Sequence, residues 1–127
     1  MKKCKDKLHK FKFDIYPCEM WITISKDNFK GILENVKDFG NDDLANVDCA
    51  YQLKNGVGII LVRFKSKSVM NFNIVTHESL HVAINIFSYI GEPIDINHQE
   101  AIAYLAGYIA ECCGKVKNYK PKKKKNV

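Results

Sequence analysis

The sequence predicts an α+β fold, with a short, mostly antiparallel sheet of about four strands packed against three helices. Two observations lead to this fold class. Runs in which apolar and polar residues alternate, the spacing of a half-buried strand, occupy much of the first half of the chain. Two long stretches with apolar residues at helical spacing occupy the second half. At 127 residues the chain has the length of one domain with a substantial core.

Four segments have the composition of strands. Phe11, Phe13 and Ile15 alternate with polar residues in the first. The second is rich in β-branched and aromatic residues, and the third alternates again. Asn55-Gly56, a strong hairpin signal, separates the third strand from the fourth, which is apolar on both faces for much of its length. The predicted strands cover residues 11–15, 20–24, 47–53 and 57–64.

Three further segments have helical spacing and boundary residues. Ser25 or Asp27 can cap the first helix, and Gly40 can end it. The second is apolar in nearly every direction, which predicts a buried helix, and it ends near Gly91. The third is rich in alanine and closes at Gly114. The apolar positions of the first predicted helix span residues 29–36, and the second and third helices cover residues 72–90 and about 98–113.

The net charge of +6 is unevenly distributed. Residues 115–127 carry +7 and residues 1–10 carry +4, which leaves −5 on residues 11–114. We interpret residues 1–10 as a basic leader, 11–114 as the folded domain and 115–127 as a disordered lysine-rich tail. The acidic domain favours a divalent cation over a nucleic-acid backbone. The tail is a candidate for binding nucleic acid or an acidic partner, although such runs are usually solvated.

Composition also bears on the compartment. No run of eighteen apolar residues is present, so no membrane span is expected, and no apolar segment follows the charged start as in a secretory signal. Five cysteines, an odd number without a C-x-x-C pair, favour reduced thiols that serve mostly as small core residues. We therefore predict a cytoplasmic protein with no membrane partner.

A short motif lies within the second predicted helix. His77, Glu78 and His81 form an H-E-x-x-H pattern. Residues four apart lie on one face of a helix, so both imidazoles can reach a single metal ion, while Glu78 can reach a water molecule on that ion. Zinc accepts neutral imidazole, and a catalytic zinc site uses three protein ligands and leaves a fourth position open. The alternative is that both histidines are core residues bonded to the backbone or to carboxylates.

A third ligand must come from elsewhere in the chain. Asp95, His98 and Glu100 are the nearest candidates after the helix, and a third histidine six residues after His81 is excluded because Phe87 stands there. Glu100 completes a His2Glu set, which is a known catalytic zinc ligation, provided that the preceding segment doubles back. His98 is a rival ligand. Glu100 can instead close a capping box with Asn97 at the start of the third helix.

The H-E-x-x-H motif followed by Asn97-His98-Gln99-Glu100-Ala101-Ile102 resembles the gluzincin group of zinc metallopeptidases over about residues 72–113. The resemblance implies a zincin-like domain with Zn2+ bound by His77, His81 and Glu100, and with Glu78 as the general base. More loosely, the segment after Glu100 resembles short uncharacterised proteins from phages and mobile elements of gut bacteria.

Two departures from the gluzincin pattern matter. Family members often have an aspartate four residues after the ligand glutamate, where this chain has Tyr104, and larger members carry a downstream histidine or tyrosine that stabilises the oxyanion. No histidine follows His98, so Tyr104, Tyr108 and Tyr119 remain as possible donors.

The expected function is hydrolysis of a peptide or protein substrate by a zinc-activated water molecule, with Glu78 as the base. The strand at 57–64 can pair with an extended substrate, or it can be a buried central strand. The alternative function is a catalytically inactive zinc-binding protein, an interaction or inhibitor protein in which the metal contributes folding energy.

Overall fold

A five-stranded mixed sheet forms the centre of the chain, for which the computed structural model describes residues 8–121. The strands are Leu8–Lys12 (β1), Cys18–Thr23 (β2), Leu33–Glu34 (β3), Ala45–Gln52 (β4) and Gly58–Phe64 (β5). Their spatial order is β1-β2-β5-β4-β3. β2 and β5 run parallel, and the other neighbouring strands are antiparallel.

Two α-helices follow the sheet, Phe72–Ile90 (α1) and Glu100–Lys117 (α2). Asn71 is the N-cap residue of α1: its side-chain oxygen accepts a hydrogen bond of 2.9 Å from the Ile74 N–H. The helix ends at Gly91, which has the left-handed φ of 74° that glycine tolerates. The first turns of α1 and the last turns of α2 line the same cavity, so the start of one helix lies beside the end of the other and the two run antiparallel. Neither helix of the described residues is both long and apolar enough to cross a bilayer.

The two faces of the sheet are covered differently. Met20, Ile22 and Val62 point to the face that packs on both helices. Trp21 and Leu61, their sequence neighbours, point to the opposite face, which the segment between β2 and β4 covers with Phe29 and Leu33. Every residue of β5 is buried, because this strand lies in the middle of the sheet between β2 and β4.

The predicted α+β class is confirmed, and the long helices and the hairpin around Asn55-Gly56 form as expected. The predicted helix over 29–36 is wrong. Phe29, Gly31 and Asn35 have φ values of 54°, 83° and 72°, which no right-handed helix accommodates, and the segment forms turns and the short strand β3. The sheet therefore has five strands, and two α-helices pack on it instead of three.

The boundaries also differ from the predicted ones. β1 begins at Leu8, within the segment predicted as a leader, and α2 continues to Lys117, within the predicted tail. Residues 1–7 and 122–127, which hold the rest of both basic segments, lie outside the described residues.

A buried arginine joins the sheet to the segment that covers it. Arg63 of β5 has no exposed surface, and its guanidinium donates to Asp48 Oδ2 at 2.8 Å and to Asn46 Oδ1 at 3.1 Å, both on β4. It also donates to the backbone carbonyls of Lys26, Asp27 and Lys37. These five bonds use all five N–H groups of the guanidinium, so the buried cation is fully paired.

Replacing Asp48 with alanine should lower the free energy of unfolding by about 3–5 kcal/mol, because the Arg63 charge would be left buried without its counterion. Glu111→Ala is the matched control. It removes an exposed ion pair to Lys115 with a 3.9 Å separation, and it should change the free energy of unfolding by less than about 0.5 kcal/mol. Urea unfolding of both variants measures the difference, and equal losses would contradict the structural role of Arg63.

Candidate metal centre

The two histidines of the H-E-x-x-H motif lie side by side, with a nitrogen of each ring within hydrogen-bond distance of the other. The Nε2 atoms of His77 and His81 are 3.2 Å apart, with their rings at 73° to each other, because one helical turn separates the residues on α1. Both side chains are exposed, which corrects the prediction of a helix buried on all sides. α1 buries Val82, Ala83 and Ile86 against the sheet and leaves residues such as Phe72, which is 95% exposed, in solvent.

Glu78 lies beside the histidine pair but in a different environment. It is buried, since it sits on the side of α1 that turns toward the sheet. Burial raises the pKa of the Glu78 carboxyl above its usual range, the negative charge of Asp43 acts in the same direction, and the imidazoles of His77 and His81 oppose it. The structure thus brings one buried carboxyl to the side of the two imidazoles.

A cavity of about 270 Å³ connects these side chains to the sheet. Its helix side is formed by the motif and by Asn85, one turn beyond His81. The opposite side comes from the loop before β4 and from the start of β4 itself. The residues that line it are Asp43, Ala45, Asn46, Val47, His77, Glu78, His81 and Asn85.

Asp43 is the residue of this cavity that the sequence did not reveal as a candidate. The Asn41-Asp42-Asp43 run has the composition of a turn, and the turn forms: the Gly40 N–H donates to Asp43 Oδ2 at 3.1 Å. Its position opposite the histidines depends on the path of the whole loop, which no local sequence pattern indicates.

Glu100 is not brought to the histidine pair. It is exposed in the first turn of α2 and lines a separate depression formed by residues 96–101. Since the two helices are antiparallel, this turn lies toward the far end of α1, and residues 91–97 do not double back. The capping box does not form either, because the N-cap residue is Gln99 instead of Asn97, and its side chain makes no capping hydrogen bond.

The other candidate ligands and donors also lie outside the cavity. His98 Nδ1 is 2.8 Å from Asp95 Oδ2, and both residues are exposed in the loop between the helices. Tyr108 packs against the ring of Phe13, Tyr119 contacts the ring of His9, and Tyr104 projects into solvent. None of them is a lining residue of the cavity that holds the motif.

Across residues 8–121, no three histidine, cysteine, aspartate or glutamate side chains stand close enough together to enclose a metal ion. The cysteines agree with their prediction as core residues in three cases, since Cys18, Cys112 and Cys113 are buried, whereas Cys49 is exposed. The arrangement is therefore a converged pair of imidazoles, with one buried carboxylate beside it and a second carboxylate across the cavity.

Comparison of the chain with protein-family models, with curated proteins and with solved structures finds no match.

Proposed function

We propose that this protein is a zinc-dependent peptidase in which His77 and His81 bind the metal and Glu78 is the general base. One observation carries the proposal, the 3.2 Å separation of the two Nε2 atoms. Two nitrogen ligands at ~2.0–2.1 Å from a tetrahedral zinc ion stand about 3.3 Å apart. The imidazoles are thus spaced for a shared ion without any rearrangement of α1.

The chemistry divides between the metal and Glu78. When bound, zinc would lower the pKa of a coordinated water molecule toward ~7 and polarise the substrate carbonyl. Glu78 accepts the proton of the attacking water and returns it to the leaving amine as the peptide bond breaks. Its position beside both imidazoles, on the wall of the same cavity, suits both steps.

The outer edge of β4 suits an extended peptide. At the two ends of the β4–β5 ladder, Lys65 N–H bonds to Leu44 O and Gln52 N–H bonds to Val57 O. Even-numbered residues of β4 therefore direct their peptide groups toward β5, and odd-numbered residues direct theirs outward. β3 pairs with this edge at Tyr51 and Gln52, and the Asn35 side chain donates to Cys49 O, so the covered part of the edge begins at Cys49.

Two of the outward-facing residues, Ala45 and Val47, line the cavity that holds the histidines. A peptide that pairs with them would lie along the metal centre and leave its side chains free to alternate between the cavity and solvent. The sequence analysis considered the 57–64 strand as the one that pairs with substrate. That strand is β5, which lies in the middle of the sheet, so we assign substrate pairing to β4 instead.

Replacing Ala45 with proline should impair substrate binding while leaving the fold intact, because it removes an outward N–H at the first residue of an edge strand. We expect KM for a cleaved peptide to rise about tenfold or more at unchanged zinc content, in line with the loss of one buried hydrogen bond. Ala45→Ser, which keeps the N–H, is the control. An unchanged KM in the proline variant would exclude strand addition at this edge.

Glu78→Gln tests the peptidase directly. The amide keeps the size of the side chain but cannot take a proton, so cleavage of a broad library of quenched fluorescent peptides should fall by at least about 100-fold. Zinc content should stay at the wild-type level. Hydrolysis that survives the substitution would remove Glu78 from the mechanism.

The second candidate function is a zinc-binding interaction or inhibitor protein without catalysis. It is favoured by the exposure of both imidazoles and by the lack of a third converged ligand among the described residues. In that case chelation would lower the melting temperature of the wild-type protein, and no peptide of the library would be cleaved.

A further inference from the structure

The proposed centre has two imidazoles and lacks an assigned carboxylate ligand. Glu100 faces the loop between the helices. Its arrival at the histidines would require the start of α2 to unwind or the whole 91–99 connection to refold. A carboxylate already in the cavity avoids that rearrangement.

Asp43 is such a carboxylate, and its position is constrained. It lines the cavity opposite His77 and His81, on the loop that enters β4. The Gly40 N–H holds one of its oxygens, Oδ2, which leaves Oδ1 without a hydrogen bond to another of the described residues. Carboxylates that ligate metals are commonly hydrogen-bonded in turn, and the backbone donor at Gly40 gives the Asp43 carboxylate such a partner.

Gly40 makes this anchoring possible. A Cβ atom at position 40 would lie 2.7 Å from Asp43 Oδ2 and 3.0 Å from its carboxyl carbon. The backbone of Gly40 does not lie in the left-handed region, so alanine is accepted there and only the Asp43 carboxylate must move. The glycine thus keeps open the space that the carboxylate fills.

The loop itself is held by the buried arginine. Arg63 donates to Lys37 O at 2.6 Å, and its guanidinium lies 5.3 Å from the ring centre of Phe39. These contacts fix the chain four to six residues before Asp43. The path from Arg63 through Phe39 and Gly40 therefore positions the carboxylate from one side, while α1 positions the imidazoles from the other.

We propose that Asp43 is the third protein ligand of the zinc centre, which it completes when the 40–44 turn moves across the cavity toward His77 and His81, since the three side chains do not enclose a metal site as they stand. The inference depends on the proposed zinc site and names its carboxylate. Aspartate oxygen, with two imidazole nitrogens, forms a three-ligand set that leaves one position for water.

Calorimetric titration of the metal-free, full-length protein with zinc chloride, against a competing chelator, tests the assignment. Asp43→Asn should weaken zinc binding by more than about 100-fold, beyond the 10- to 100-fold expected of a residue that only supports a ligand. Asp42→Asn is the matched control, since it removes the same charge from the adjacent position, which is exposed as Asp43 is but does not line the cavity. The zinc affinities of Asp42→Asn and of Glu100→Gln should each stay within about threefold of the wild-type value.

Gly40→Ala gives a second, independent measurement, because it displaces the carboxylate without changing its chemistry. We expect zinc binding to weaken by about 10- to 100-fold in this variant. Circular dichroism and thermal unfolding of the metal-free variants check that each is folded.

The outcomes separate this inference from the proposed function. If the wild type binds no zinc, the metal centre itself is refuted. If the wild type binds zinc and Asp43→Asn binds as well as Asp42→Asn, Asp43 is not a ligand and the centre stands without it. A loss confined to Glu100→Gln would overturn the assignment in favour of the ligand that the sequence predicts.

Discussion

The buried guanidinium of Arg63 is the constraint on which the rest of this structure depends. Placing a full charge between a sheet and a loop costs several kcal/mol of desolvation unless every donor is paired and a counterion is present. Both conditions hold, since Asp48 supplies the opposite charge and four further acceptors take the remaining N–H groups. Three of those acceptors are backbone carbonyls of the segment between β2 and β4, so the arginine determines the path of a segment that has little regular structure of its own.

That path matters for the centre on α1. A helix alone supplies two imidazoles and a glutamate, because residues four apart repeat on one face. The opposite wall of the cavity consists of a loop and a strand edge, which have no such internal repeat. Their position comes from the pairing of β4 with β5 and from the contacts that Arg63 makes with residues 26–37. One wall of the cavity thus comes from a local motif on α1, and the other comes from a loop and a strand that long-range contacts hold in place.

The features of the fold and the site that the sequence predicts correctly are local ones. The spacing of His77 and His81, the end of α1 at Gly91 and the turn at Asn55-Gly56 are local features, and the structure has all three. The helix expected over 29–36 had suitable apolar spacing, but Phe29 and Asn35 adopt left-handed backbone conformations. The segment packs over Trp21, and the residues that flank it on both sides accept hydrogen bonds from Arg63. Tertiary contacts overrode the local periodicity.

The carboxylate that lies across the cavity from the histidines could not be predicted from local sequence patterns, because its position also depends on tertiary contacts. Glu100 stands at a suitable distance along the chain, yet the antiparallel packing of α1 on α2 carries it away from the motif. Asp43 lies 34 positions before His77 and carries only turn signals. Its approach depends on the sheet and on the loop that Arg63 secures.

X-ray absorption at the zinc K edge of the zinc-loaded wild-type protein tests the central claim most directly. The account predicts a four-coordinate ion whose spectrum contains two imidazole nitrogens at ~2.0–2.1 Å. A first shell without imidazole, or the same spectrum from a variant that lacks both His77 and His81, would contradict it.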